Sequence, residues 1–156
     1  EVDEGRIKKG LSLASWPGRL QTVYWGEMPI LIDCAHNPHA ARELSQERLN
    51  WQKEDEGLQW IIGIQKHKDA PRILQYLVKP KDKVWIIPVP EHSSWTQKEL
   101  AESCQSLARQ LNHASDIQEV LSKIFSSKKS HFPIPVVTGS IYLIGSLIKR
   151  KEFRLK

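Results

Sequence analysis

Short apolar blocks alternate with longer stretches whose apolar residues fall three or four apart, and the two patterns take turns along the chain. Runs of the first kind read as strands and runs of the second as helices. The strand readings are Gln21–Trp25, Ile30–Asp33, Leu58–Ile64 around Trp60-Ile61-Ile62, Lys83–Val89 around Val84-Trp85-Ile86-Ile87, and Pro133–Thr138. A helix is expected over Pro38–Trp51, with Ala41, Leu44 and Trp51 as its stripe, and another up to Val78 with Ile73, Leu74 and Leu77 facing inward. Three more follow: Thr96 to about Leu111, one carrying Ile117, Val120, Leu121 and Ile124, and Ile141–Lys151.

Polar residues punctuate this pattern where a chain reversal or a helix start needs them. Pro17-Gly18 is a turn dipeptide, and Gly26-Glu27-Met28-Pro29 closes a hairpin between the first two strands. Asn37 suits an N-cap, and Pro38 suits the first helical position because it has no N–H to leave unpaired. Thr96 and Glu99 have capping-box spacing, Asp116 caps the next helix, and Pro88 and Pro90 end a strand because neither can donate to a ladder. Strand–helix alternation at this spacing implies right-handed crossovers. The fold class is α/β: one Rossmann-like domain, mostly parallel, with about six strands, one antiparallel edge strand, and helices on both faces.

A length of 156 residues suits one domain, and no apolar run approaches the roughly 20 residues of a membrane-spanning helix. Residues 1–9 are charged and read as a linker or N-terminal extension, 10–151 as the domain, and 152–156 as a basic tail. The first ten residues do not resemble a signal peptide, and a start at Glu1 rather than Met suggests a longer parent. The net charge of +5 favours an anionic ligand such as nucleotide phosphate. It does not favour nucleic acid, since no basic motif is interleaved with aromatics. Cys34 and Cys104 have neither disulfide nor metal-ligand spacing, which fits the cytoplasm. The six histidines form no zinc pattern, so no metal ligands are expected in this chain.

The chemistry gathers at strand-to-helix turns, which lie at the carboxyl edge of such a sheet. Asp33 directly follows an apolar strand; it could cap the turn, or accept hydrogen bonds from a ligand's hydroxyls such as a ribose diol. His36 could be a packed turn residue, or it could bind a carboxylate or phosphate beside a helix N-terminus. Arg19 follows Trp16-Pro17-Gly18 and is either a surface side chain or a bidentate phosphate contact. Ser140, after Thr138-Gly139, could cap a helix while its hydroxyl touches a ligand. Lys68-Asp69 offers a loop contact, although an N-cap role for Asp69 before Pro71 explains it without chemistry. No Gly-x-x-x-x-Gly-Lys-Ser/Thr phosphate cradle occurs.

In order along the chain stand Trp16-Pro17-Gly18-Arg19-Leu20-Gln21, Asp33-x-Ala35-His36-Asn37-Pro38-His39-Ala40-Ala41, Gly63-x-x-x-x-Lys68-Asp69 and Thr138-Gly139-Ser140-x-Tyr142-Leu143-x-Gly145. The set resembles the C-terminal domain of folylpolyglutamate synthases and bifunctional dihydrofolate synthases, of the Mur ligase superfamily, over about Gly10 to Arg150. The resemblance implies the C-terminal part of an ATP-dependent amide ligase that adds glutamate to folates through an acyl phosphate. Its partner would be an N-terminal P-loop domain of the same enzyme, which would carry Mg2+ and most of the folate site. Arg19 would then contact ATP phosphate and act catalytically, and Asp33 would hold the ribose. His36 and Ser140 would bind the incoming glutamate, with His36 also catalytic. Two positions depart from the family pattern: Cys34 stands where Gly is common, and His67 where an acid often precedes Lys68-Asp69. Another Mur-type amino-acid ligase and a non-catalytic α/β binding module are the competing readings.

Overall fold

The computed structural model describes residues 3–6, 17–51, 56–126 and 133–155. Trp16 and most of the expected N-terminal extension lie outside them. The strands are β1 (Gln21–Trp25), β2 (Met28–Ile32), β3 (Gln59–Ile62), β4 (Lys83–Ile86), β5 (Leu111–His113), β6 (Val136–Thr138) and β7 (Phe153–Leu155). The helices are α1 (Pro38–Gln46), α2 (Ala70–Leu77), α3 (Gln97–Ser103), α4 (Ile117–Ser126) and α5 (Ile141–Ile148). One seven-stranded sheet runs in the order β5-β4-β3-β6-β2-β1-β7. The first five of these are parallel, and β1 is antiparallel to both of its neighbours.

Strand pleating divides the core. Leu31, Trp60, Ile62, Val84, Ile86 and Val136 face one side and pack with α1, α2 and α3. Ile30, Ile32, Ile61, Trp85, Ile87 and Val137 face the other side and pack with α4 and α5. Consecutive residues therefore feed opposite layers, which is why the strands read as unbroken apolar runs.

The sheet departs from the sequence reading in its outer strands. The segment expected as a basic tail contains β7, which pairs antiparallel with β1 and adds a seventh strand at the antiparallel edge. Phe153 makes this possible by burying its ring in the same cluster as Val23. Arg154 donates to the Gly26 carbonyl at 3.0 Å and to Glu27 at 3.2 Å. β5 begins where a helix was expected to end: α3 already stops at Ser103, a 3-10 segment covers Gln105–Gln110, and Leu111 then pairs with Val84. α1 likewise yields at Gln46 to a 3-10 segment, Glu47–Asn50.

That second 3-10 segment delivers Arg48 to the amino-terminal side of the sheet. Both guanidinium ends of Arg48 bond the buried Asp82 carboxylate, one of them at 2.6 Å. The same carboxylate accepts from the Leu58 and Lys79 N–H groups at 2.8 and 2.9 Å and from Trp60 Nε1 at 2.9 Å. Burial pushes the Asp82 carboxyl up, but these donors, Arg48 foremost, pull it below the usual carboxylate range.

At the opposite edge the chain leaves β2 along the α1 face and leaves β6 along the α5 face. Neighbouring parallel strands whose connections depart to opposite sides open a crevice beyond their carboxyl ends.

Candidate nucleotide and amino-acid site

Asp33 is the first residue past β2, and its N–H still donates to the Val137 carbonyl at 2.9 Å, so the turn begins anchored to β6. A second anchor is the Ala35 carbonyl, which accepts from Gly139 N–H at 3.0 Å and from the Thr138 hydroxyl at 3.3 Å. Gly139 is obligatory here. Its φ is +109°, and a Cβ would lie 2.6 Å from the Gly63 carbonyl oxygen. The absence of a side chain lets the β6 turn close against the residue after β3.

Asp33 is 9% exposed. Oδ1 accepts from Ala35 N–H at 2.8 Å and Oδ2 from Leu20 N–H at 3.1 Å. One bond on each oxygen fixes the carboxylate plane and leaves further acceptor capacity on both. Burial raises the Asp33 carboxyl above its ordinary value, and the two N–H groups and the Arg19 charge only partly offset this. An acid in this state gains from a ligand that donates hydroxyl hydrogens to it.

His36 Nδ1 lies 2.8 Å from the Cys34 carbonyl. A carbonyl can only accept, so Nδ1 carries the proton and Nε2 is the ring's open atom. Asn37 caps α1 by accepting from Ala40 N–H at 2.8 Å, as its position before Pro38 dictates.

Arg19 comes from the chain before β1. Gly18 has φ +79°, and a Cβ there would lie 2.7 Å from Cys34 Sγ, so this turn seats directly on the Asp33-Cys34 turn. Arg19 is exposed and makes no hydrogen bond or ion pair to another described residue. Arg19, Asp33, Cys34 and His36 thereby line one cleft of about 680 Å³, a size usual for small-molecule sites.

Sequence reasoning missed the far wall of this cleft. His39, Glu43 and Glu47 line it from α1 and the 3-10 segment after it. Their i, i+4, i+8 spacing was the available signal, since it puts all three on one helical face.

Ser140 is placed differently from Arg19, Asp33 and His36. It caps α5 by accepting from Tyr142 N–H at 3.2 Å and is 1% exposed; its neighbour Ile141 lines the cleft instead. Lys68 and Asp69 also lie away from the cleft lining. The Lys68 carbonyl accepts from Trp95 Nε1 at 3.0 Å, and Asp69 caps α2 by accepting from Arg72 N–H at 3.2 Å. Among the described residues no three His, Cys, Asp or Glu side chains gather to hold a metal ion, and no helix is long and apolar enough to cross a membrane.

Residues 19–150 match the family model of the dihydrofolate synthetase C-terminal domain. The chain belongs to this family. A dihydrofolate synthase/folylpolyglutamate synthase of Buchnera aphidicola subsp. Schizaphis graminum is 26% identical over 156 residues, which is 99% of this chain and 36% of that protein. Mycobacterium tuberculosis folylpolyglutamate synthase, solved with ADP and AMPPCP, has the same fold, with a TM-score of 0.74 at 22% identity over 97% of this chain and 36% of that one. The bifunctional folylpolyglutamate synthase/dihydrofolate synthase of Yersinia pestis, solved with AMPPNP and a Mn ion, gives a TM-score of 0.71 at 24% identity over 94% and 34%. The chain thus spans about a third of the length of each of these proteins.

Proposed function

We propose that this domain is the C-terminal lobe of an ATP-dependent amide ligase that adds glutamate to folates: a folylpolyglutamate synthase, or a bifunctional enzyme that is also a dihydrofolate synthase. The convergence of Arg19, Asp33 and His36 on one carboxyl-edge cleft carries the reading. In this reaction the folate carboxylate takes the terminal phosphoryl group of ATP and ADP departs. The amine of glutamate then attacks the acyl carbon, and phosphate leaves as the amide forms.

Each side chain has chemistry suited to a part of this. The Asp33 carboxylate, already oriented by two N–H groups, accepts from the ribose hydroxyls. Arg19, which has no ion-pair partner among the described residues, offers its guanidinium to phosphate oxygens and offsets charge during transfer. The open Nε2 of His36 accepts a proton from the glutamate amine; once protonated itself, the ring holds the glutamate carboxylate. Ser140 and Asp69 serve this reading as the caps of α5 and α2, and neither they nor Lys68 line the cleft. The ion that accompanies ATP would be held by the N-terminal P-loop domain, the partner of this lobe in a cytoplasmic enzyme.

The test is ADP release by the full-length protein supplied with ATP and a reduced folate. Release is expected to require L-glutamate and to fail with other amino acids. Release driven equally well by another amino acid, or by another acid in place of folate, would assign the cleft to a different ligase.

A further inference from the structure

We infer that Leu20 is a positioning residue: its left-handed backbone, held by the Leu20 N–H bond to Asp33 Oδ2, sets Arg19 over the cleft. Asp33 thereby orients the arginine as well as receiving a ligand.

Leu20 has φ +43°. Leucine rarely adopts this conformation, and it persists only where the surroundings impose it. Leu20 is 40% exposed and itself lines the cleft beside Arg19. The constraints act on the backbone. Leu20 N–H donates to Asp33 Oδ2 at 3.1 Å. Two residues earlier, Gly18 N–H donates to Gln21 Oε1 at 2.9 Å. Gly18, at φ +79°, also sits where a Cβ would meet Cys34 Sγ at 2.7 Å and Ile144 Cγ2 at 2.9 Å. Arg19 is thus carried between two left-handed residues, one pressed onto Cys34 and the other bonded to Asp33. No hydrogen bond or ion pair to a described residue holds the guanidinium itself, and the nearby Asp33 acts on it through charge alone. Its reach is set by the backbone on either side, and the Asp33 bond fixes the side nearer β1.

This inference rests on the reading of Arg19 and Asp33 as nucleotide contacts, and it separates backbone from side chain at position 20. Glycine and asparagine accept φ near +43°, whereas β-branched residues resist it. The measurement is ADP affinity of the full-length protein by calorimetry, with a thermal melt for each variant. Leu20→Val, which keeps an apolar side chain, is expected to weaken ADP by about tenfold or more, because a displaced binding group forfeits most of its contact. Leu20→Gly is expected to lose distinctly less, despite removing the side chain. Leu20→Ile and Leu20→Asn form a second pair with the same ranking, should either of the first melt early. In an Arg19→Ala background the Leu20→Val penalty should shrink to about twofold, because the group it misplaces is gone. A reversed ranking, or a full Leu20→Val penalty without Arg19, overturns the inference alone. An Arg19→Ala protein that binds ADP normally overturns it together with the site reading.

Discussion

Asp82→Ala is expected to cost the domain about 3–5 kcal/mol of folding stability, the range for breaking a buried ion pair by removing one partner. The loss is large because the carboxylate serves several donors at once. Its removal strands the Arg48 guanidinium, two backbone N–H groups and the Trp60 indole in a largely buried site. Arg48→Ala should be similarly harmful, leaving an unpaired buried carboxylate. Replacing both with apolar residues of similar volume should recover much of the loss. Denaturant midpoints at neutral pH measure each value. The pair also gives the domain an acid limit. Since the folded Asp82 carboxyl lies below its unfolded value, its contribution is complete above the ordinary carboxylate range and disappears as pH falls through the depressed value. Midpoints measured down the acid limb should show this loss in the parent domain and not in the apolar double variant.

Asp33→Ala is expected to weaken ADP binding by the full-length protein tenfold or more, since hydrogen bonds to a charged group contribute about 1.5–3 kcal/mol. The 2′-deoxy nucleotide identifies the contact. It should bind the parent protein worse than ADP does, and the two should bind Asp33→Ala alike. The pH dependence has the opposite sense to that of Asp82. Burial lifts the Asp33 carboxyl, so without ligand it costs stability as pH rises from the ordinary carboxylate range through the raised value. Ligand hydroxyls favour the ionised form, so ADP affinity should fall as pH drops through that same raised value. Asp33→Ala should flatten the profile.

Much of this architecture was legible in the sequence because local and global signals agree. Asn37 before Pro38, the Thr96–Glu99 box and Ser140 after Gly139 all start helices where their chemistry demands. Trp60-Ile61-Ile62 and Val84-Trp85-Ile86 are apolar throughout because both faces of the sheet are covered. The missed strands β5 and β7 are three residues each and take their identity from their neighbours. Leu111 is fixed by pairing with Val84, and Phe153 by a hydrophobic layer built from distant residues. The end of α1 was overrun because Arg48 has a partner 34 positions away that no periodicity reveals.

The site divides along similar lines. Arg19, Asp33 and His36 were legible because each adjoins a turn signal, and the fold brings those turns together. Ser140 and Asp69 are helix caps, the readings their positions had already offered. The acidic wall of Glu43 and Glu47 was hidden because charge on a helix ordinarily faces solvent; only the tertiary fold turns it toward the cleft.

The two cysteines provide the most direct test of whether a nucleotide occupies this cleft. Cys34 lines it, half-buried, whereas Cys104 is 5% exposed at the end of α3. Burial and the neighbouring Asp33 charge push the Cys34 thiol up, more than Arg19 pulls it down, so labelling is best followed at alkaline pH. Alkylation of the full-length protein, resolved peptide by peptide, should show Cys34 protected in proportion to ADP occupancy, with the Cys104 rate unchanged. Labelling of Cys34 at the same rate with and without saturating ADP would contradict the account.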